Sequence, residues 1–181
     1  MTIFRFLASA GFALAILCGA ADAAEKVDPG DRALLAACLT ETAKNLRVDP
    51  TIDEVPGVPG RLATAGRDAR GRADSCIIVI FIQCQHAGKD YSTAGKSSCF
   101  TREVAAWDER LNIAYHKVVA QSEADAVANL KKVQEIWIGW RDATCTQPSL
   151  MIKGTLAVTM AGFCMVELTA RQTIWMENLL N

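Results

Sequence analysis

The sequence is poor in the residues that build metal sites and catalytic centres. It contains only two histidines, His86 and His116, and no Cys-x-x-Cys pair. Neither histidine stands at a zinc-ligand spacing from a cysteine, and neither has an evident acid–base partner in the sequence. We therefore expect no metal, no cofactor and no catalytic residue, and we expect that the protein is not an enzyme.

Features that indicate a nucleotide or nucleic acid partner are also missing. Gly95-Lys96-Ser97 resembles the end of a phosphate-binding loop, but that motif requires a glycine where this chain has Asp90. The chain carries 19 Lys and Arg against 20 Asp and Glu, a net charge of -1. Because nucleic acid binding requires a basic surface, we expect no nucleic acid partner.

Only one long apolar run occurs outside the helical patterns, and it lies at the N-terminus. Phe6 to Ala21 follow the single early cation Arg5, which is the organisation of a secretory signal peptide. The run is shorter than the roughly 20 apolar residues that a membrane span needs. Small residues at positions 21 and 23 predict cleavage after Ala23. We expect residues 1–23 to be removed, leaving a periplasmic or secreted protein with no stable membrane insertion.

Six cysteines remain after this cleavage, an even number that predicts three disulfide bonds in an oxidising compartment. The sequence alone does not choose among the many pairings of six cysteines. Cys145 and Cys164 lie in consecutive predicted helices, so a bridge between them would join the two. The pairing that we propose is Cys38–Cys76, Cys84–Cys99 and Cys145–Cys164, with the first two pairs open to exchange.

The apolar spacing predicts an all-α protein, a small disulfide cross-linked bundle of about five helices. The clearest stripe comprises Phe100, Val104, Trp107, Leu111, Ala114 and Val118. We expect the next helix to begin at a capping Ser122 and to end at Pro148, with the stripe Ala126, Leu130, Val133, Trp137 and Trp140. A last helix from about Val158 to Leu180 has the predicted stripe Ala161, Met165, Leu168, Trp175 and Leu179.

The N-terminal half, residues 24–98, is less regular. Asp31 to Leu46 predict one helix, and residues 48–75 predict a long Gly- and Pro-rich loop that carries arginines from Arg61 to Arg72. The apolar run between Cys76 and Cys84 has strand propensity. A lone strand would leave its backbone unpaired, so we predict a buried helix there. The polar residues 88–98 predict a turn before the next helix.

Three motifs in residues 99–181 resemble the LprI-type lysozyme inhibitor family in order and spacing, whereas Cys38, Cys76 and Cys84 match only a looser extension. The resemblance implies a bacterial exported helical domain that in some members inhibits lysozyme. The motifs are Cys99-x-x-x-Glu103-x-x-x-Trp107-Asp108-x-x-Leu111-Asn112-x-x-Tyr115, Leu130-x-x-x-Gln134-x-x-Trp137-x-x-x-Arg141-Asp142-x-x-Cys145 and Cys164-x-x-x-Leu168-Thr169-x-Arg171.

The motif residues have a structural interpretation. Polar residues on helical faces can bond neighbouring helices, and we expect this role for Glu103, Asn112, Gln134, Arg141, Asp142 and Arg171. We expect Trp107, Tyr115, Trp137 and Trp140 in the core. Two functions remain open: binding and inhibiting lysozyme, or a structural or stress role in the envelope without lysozyme affinity. Near-neutral charge disfavours the first, because a basic enzyme attracts an acidic partner, although Glu123 and Asp125 offer a local acidic face.

Overall fold

The computed structural model describes residues 27–44 and 73–180. Two expectations lie outside the described residues: the signal peptide of residues 1–23 with its cleavage site, and the arginine-bearing loop up to Arg72. Within the described ranges, no helix combines the length and the apolar character needed to cross a membrane.

The described residues form helices and connecting turns, with no strand among them, which confirms the predicted all-α class. The apolar run after Cys76 is helical, as predicted, because its hydrogen bonds are then satisfied within the segment. A 3-10 turn at Asp74–Cys76 precedes the second helix. The α-helices are α1 (Pro29–Lys44), α2 (Val79–Gly88), α3 (Thr93–Ala120), α4 (Ala124–Met151) and α5 (Thr155–Asn178).

The core lies around α3 and α5, which form the most extensive helix contact of the described chain. Trp107 on α3 is fully buried at its centre. Helices α1 and α2 pack against α3, and α4 runs antiparallel along α5. The first apolar cluster includes Leu35, Cys76, Ile80, Phe100, Trp107, Val166, Ala170 and Ile174. The second consists of Leu111, Ala114, Val118, Leu130 and Met176.

The predicted stripe of α3 is buried, apart from the half-buried Val104, but the helix begins earlier than predicted. Helix α3 begins at Thr93, so the turn predicted for residues 88–98 is wrong in its second half. The side chain of Ser92 accepts a hydrogen bond from the backbone N–H of Gly95 at 3.1 Å. A capped N-terminus of this kind allows a polar segment to continue a helix.

The predicted limits of α4 are also wrong at both ends. Ser122 does not cap the helix, because its hydroxyl donates back to the carbonyl of Val118 at 2.7 Å, and Glu123 takes the cap position. Pro148 lies within the helix, which continues to Met151. A proline removes one helical hydrogen bond, but the N–H of Ile152 still bonds to the Pro148 carbonyl at 2.9 Å.

The stripes predicted for α4 and α5 are only partly buried. On α4, Leu130 is buried, but Ala126, Val133 and Trp140 are exposed. This difference arises because, among the described residues, α4 packs mainly on α5 and on no second helix to a comparable extent. On α5 the predicted residues are half-buried, and Leu179 is exposed. The buried side chains of α5 are Ala157, Val166, Thr169, Ala170, Thr173, Ile174 and Met176.

Three disulfide bonds cross-link the helices. They join Cys38 to Cys76, Cys84 to Cys99, and Cys145 to Cys164, the same pairs that we proposed from the sequence. The last bridge connects α4 to α5 below the turn between them. A bridge stabilises a fold mainly by restricting the unfolded chain.

Replacing Cys145 and Cys164 together with alanine should lower the free energy of unfolding by about 3 kcal/mol, the chain-entropy value for a loop of this length. Urea denaturation of the oxidised protein measures the change. The matched control is the pair Cys38→Ala and Cys76→Ala, which opens a longer loop and should cost about 4 kcal/mol. Unchanged stability of the first variant, or more than a trace of free thiol in the denatured, unreduced wild type, would contradict the three bridges.

Candidate functional site

Glu103 is the most enclosed polar residue of the family motifs. Its side chain, on α3, is fully buried. One carboxylate oxygen accepts the backbone N–H of Ile78 at 2.7 Å, and the other accepts that of Phe81 at 2.7 Å. The indole N–H of Trp107 donates to the first oxygen at 3.1 Å. Glu103 therefore caps the N-terminus of α2 from a neighbouring helix.

This cap replaces one that α2 does not provide for itself. The residue at its N-cap is Ile78, which has a φ of 72° and no side-chain hydrogen bond to the helix. A β-branched residue rarely adopts this left-handed conformation, so the surrounding contacts must hold it there. Burial raises the pKa of the Glu103 carboxyl, while the N–H donors of Phe81, Trp107 and Ile78 oppose that rise.

A second group of motif residues connects α4 to α5. The Arg141 guanidinium lies over the ring of Trp137, with its central carbon 4.9 Å from the ring centroid. Its Nε donates to a carboxylate oxygen of Asp142 at 2.9 Å, and one terminal nitrogen lies 3.4 Å from the hydroxyl of the buried Thr169. These contacts hold one side of α4 in a fixed position on α5.

The remaining motif residues make local or interhelical contacts. Asn112 donates to the carbonyl and the carboxylate of Asp108, one turn earlier on α3. Arg171 pairs with Asp74 at 2.8 Å and with Glu167 at 3.1 Å. Leu111 is buried in the second apolar cluster, against which Tyr115 packs. The structure therefore does not gather the motif residues into one cleft.

A shallow, open groove of about 400 Å³ lies between α4 and α5. We call it the aromatic groove. Two of its lining side chains are largely exposed, Trp140 and Ile136, with exposed fractions of 53% and 63%. The expectation of a core position for Trp140 is therefore wrong, whereas Trp137 packs against the second apolar cluster. The lining residues are Val133, Ile136, Trp137, Trp140, Gln172 and Trp175.

The floor of the aromatic groove is held by polar contacts. The amide of Gln172 donates to the side-chain oxygen of Gln134 at 2.6 Å, and Arg141 covers the ring of Trp137. Sequence reasoning missed Ile136 and Gln172 as surface residues. A signal was present, because Val133, Ile136 and Trp140 form a stripe that is offset from the α5-facing residues Leu130, Gln134, Trp137 and Arg141.

In the described part of the chain, no group of three or more His, Cys, Asp or Glu side chains is placed to hold a metal ion. His86 and His116 are both exposed, on α2 and α3. The concave aromatic surface is the feature whose shape suits binding.

Comparisons with known proteins cover the same region. A family model described as "Lysozyme inhibitor LprI" matches residues 84–175, a range that contains the aromatic groove and the bridges Cys84–Cys99 and Cys145–Cys164. The uncharacterized protein R02472 of Rhizobium meliloti (strain 1021) is 29% identical over 96 residues, which cover 45% of this chain and 69% of that protein. No solved structure matches this chain significantly.

Replacing Glu103 with alanine should lower the free energy of unfolding by about 3 kcal/mol, because one buried and two part-buried N–H groups lose their acceptor. The matched control is Glu109→Ala on the same helix. Glu109 pairs with the exposed Arg32 at 2.7 Å, and a surface pair that solvent screens contributes little to stability. Urea denaturation of both variants measures the difference, and equal effects would contradict the capping role.

The raised pKa of Glu103 also predicts the sign of a pH dependence. Since the folded state binds this proton more tightly than the unfolded state, the free energy of unfolding should fall as the pH rises from about 4.3, the ordinary value, through the raised pKa. Glu103→Gln is the non-titrating reference. Urea denaturation at several pH values gives the free energy of unfolding of both proteins. The wild-type value minus the Glu103→Gln value should decrease as the pH rises. An increase would show that folding lowers the pKa of Glu103.

Proposed function

The chain belongs to the LprI lysozyme inhibitor family, and from this premise we propose that it is an exported protein that binds and inhibits lysozyme. The family match covers residues 84–175, and the N-terminal segment has the pattern of a secretory signal. We further propose that the mature protein acts in the periplasm or outside the cell, where it meets the enzyme. Inhibition by binding requires no catalytic residue in this chain.

We propose the aromatic groove as the surface that contacts lysozyme. The observation that carries this choice is the exposed indole of Trp140 beside the half-buried indoles of Trp137 and Trp175. Tryptophan is enriched among the residues that dominate the binding energy of protein interfaces. The groove is wide enough to accept side chains of a partner, and burying its exposed apolar rim would favour association.

The polar contacts beneath the groove support the same proposal. Gln134 and Gln172 bond across the two helices, and the Cys145–Cys164 bridge joins them further along. Because these contacts fix the groove before a partner arrives, little conformational entropy remains to be lost on binding. A preorganised surface of this kind suits an inhibitor that must dissociate slowly from its enzyme.

The charge of the chain sets an expectation for the binding mechanism. A net charge of -1 gives little long-range attraction to a basic enzyme. Affinity would then come from desolvated aromatic contacts and little from electrostatic steering. Inhibition should accordingly change little with ionic strength, whereas an inhibitor that relies on an acidic patch would weaken steeply in salt.

The test titrates the purified, oxidised mature protein into a lysozyme turnover assay with a cell-wall substrate. Trp140→Ala should raise the inhibition constant at least about tenfold, the loss expected for truncating a central interface tryptophan. The matched control is Ile138→Ala, since Ile138 is also exposed on α4 but projects from the other side of the helix. Its inhibition constant should stay unchanged.

Two results would contradict this proposal at different levels. Absence of inhibition by the wild type at micromolar excess would reject the lysozyme activity and leave a structural or stress role in the envelope. Inhibition that Trp140→Ala leaves intact would retain the activity but reject the aromatic groove as its surface. Urea denaturation of both variants shows that the fold is preserved.

A further inference from the structure

The turn between α4 and α5, with the adjoining helix ends, carries a concentration of exposed apolar side chains. We call residues 147–160 the hairpin tip. Met151 and Leu150 are 80% and 73% exposed, the highest values among the large hydrophobic side chains of the described residues, and Leu156 is 59% exposed. Exposed apolar side chains that cluster in this way mark a site of interaction.

The charges around the hairpin tip are unusual for an exposed segment. From Ala143 to Val166 the only charged residue is Lys153, which lies in the turn itself. A second cation, Lys96, lines the crevice beside Phe163 together with Glu167, and Asp90 lies against the neighbouring Gly95. Glu167 is already paired with Arg171. The hairpin tip itself therefore combines exposed apolar side chains with one cation, Lys153, and contains no acidic residue.

We propose that the hairpin tip inserts shallowly into a bilayer that contains anionic phospholipids. Apolar side chains at an interface gain from burial among acyl chains, and a lysine beside them can keep its ammonium group at the level of the headgroups. Negative headgroups attract nearby cations, and a carboxylate would oppose that attraction. The hairpin tip supplies one cation, Lys153, and apolar side chains such as Met151 and Leu156, and it supplies no carboxylate.

The shape of the hairpin tip favours a lipid surface over a protein. Leu150 and Met151 end α4, and Leu156 begins α5, so the three side chains lie around the turn. Other residues of the tip, such as Pro148 and Val158, line crevices against α3, but these three do not. A bilayer accepts exposed side chains at such a turn without a complementary pocket, whereas a protein partner needs one. The Cys145–Cys164 bridge closes the base of the hairpin, which keeps the two helix ends together during insertion.

The hairpin tip is separate from the aromatic groove, so this inference does not depend on lysozyme binding. Trp140 and Met151 are both on α4, and their separation in sequence corresponds to about 16 Å along the helix axis. A membrane contact through one surface leaves the other accessible. Variants of the two surfaces should therefore have independent effects.

The test is flotation of the oxidised mature protein with vesicles of phosphatidylcholine, with and without phosphatidylglycerol. Wild type should float with the anionic vesicles. Leu150→Glu combined with Met151→Glu should reduce bound protein at least about tenfold, because charge replaces the inserted side chains. Lys153→Glu should weaken binding to anionic vesicles and reduce its salt dependence. The matched control is Ile113→Glu, an exposed apolar position on α3, which should float like wild type, as should Trp140→Ala.

Three outcomes would overturn the proposal. Wild type could fail to float with anionic vesicles, or the double glutamate variant could float as well as wild type. The third outcome comes from sedimentation velocity. If the wild type is a dimer and the double glutamate variant is a monomer, the hairpin tip is a contact between two copies of this chain. Urea denaturation confirms that the variants are folded.

Discussion

The packing of the N-terminal elements depends on the buried carboxylate of Glu103. It accepts the N–H groups of Ile78 and Phe81, and so supplies from α3 the cap that α2 lacks. Beside it, the rings of Phe81 and Phe100 stack with centroids 4.1 Å apart, and Arg102 bonds Asp31 of α1 through two nitrogens. One short stretch of α3 therefore holds both preceding helices.

Sequence periodicity predicted the helices because the apolar spacing that identifies a helix lies within the helix itself. The spacing from Phe100 to Val118 specified a buried face correctly, since α3 has neighbours on several sides. The same rule failed for Trp140, because periodicity does not tell how many helices pack on a given one. Glu103 was recognised in a motif, but its partners lie more than 20 residues earlier in the chain, and no local pattern links a carboxylate to the N-terminus of a distant helix.

Helix α4 explains why the candidate surfaces occur where they do. It buries Leu130 and Cys145, but it carries more apolar side chains than α5 alone can cover. The excess divides into two regions, a shallow groove around Trp140 and the exposed turn around Met151. Shape separates their proposed partners, because a groove favours side chains of a protein and a projecting turn favours a fluid surface.

The connectivity of the disulfides has a consequence for how the chain matures during export. Each bridge joins one cysteine to the next cysteine along the described chain. A chain that enters an oxidising compartment N-terminus first therefore presents both members of a pair before the next pair arrives. The three bonds can therefore form in the order of the chain, and no bridge overlaps or encloses another.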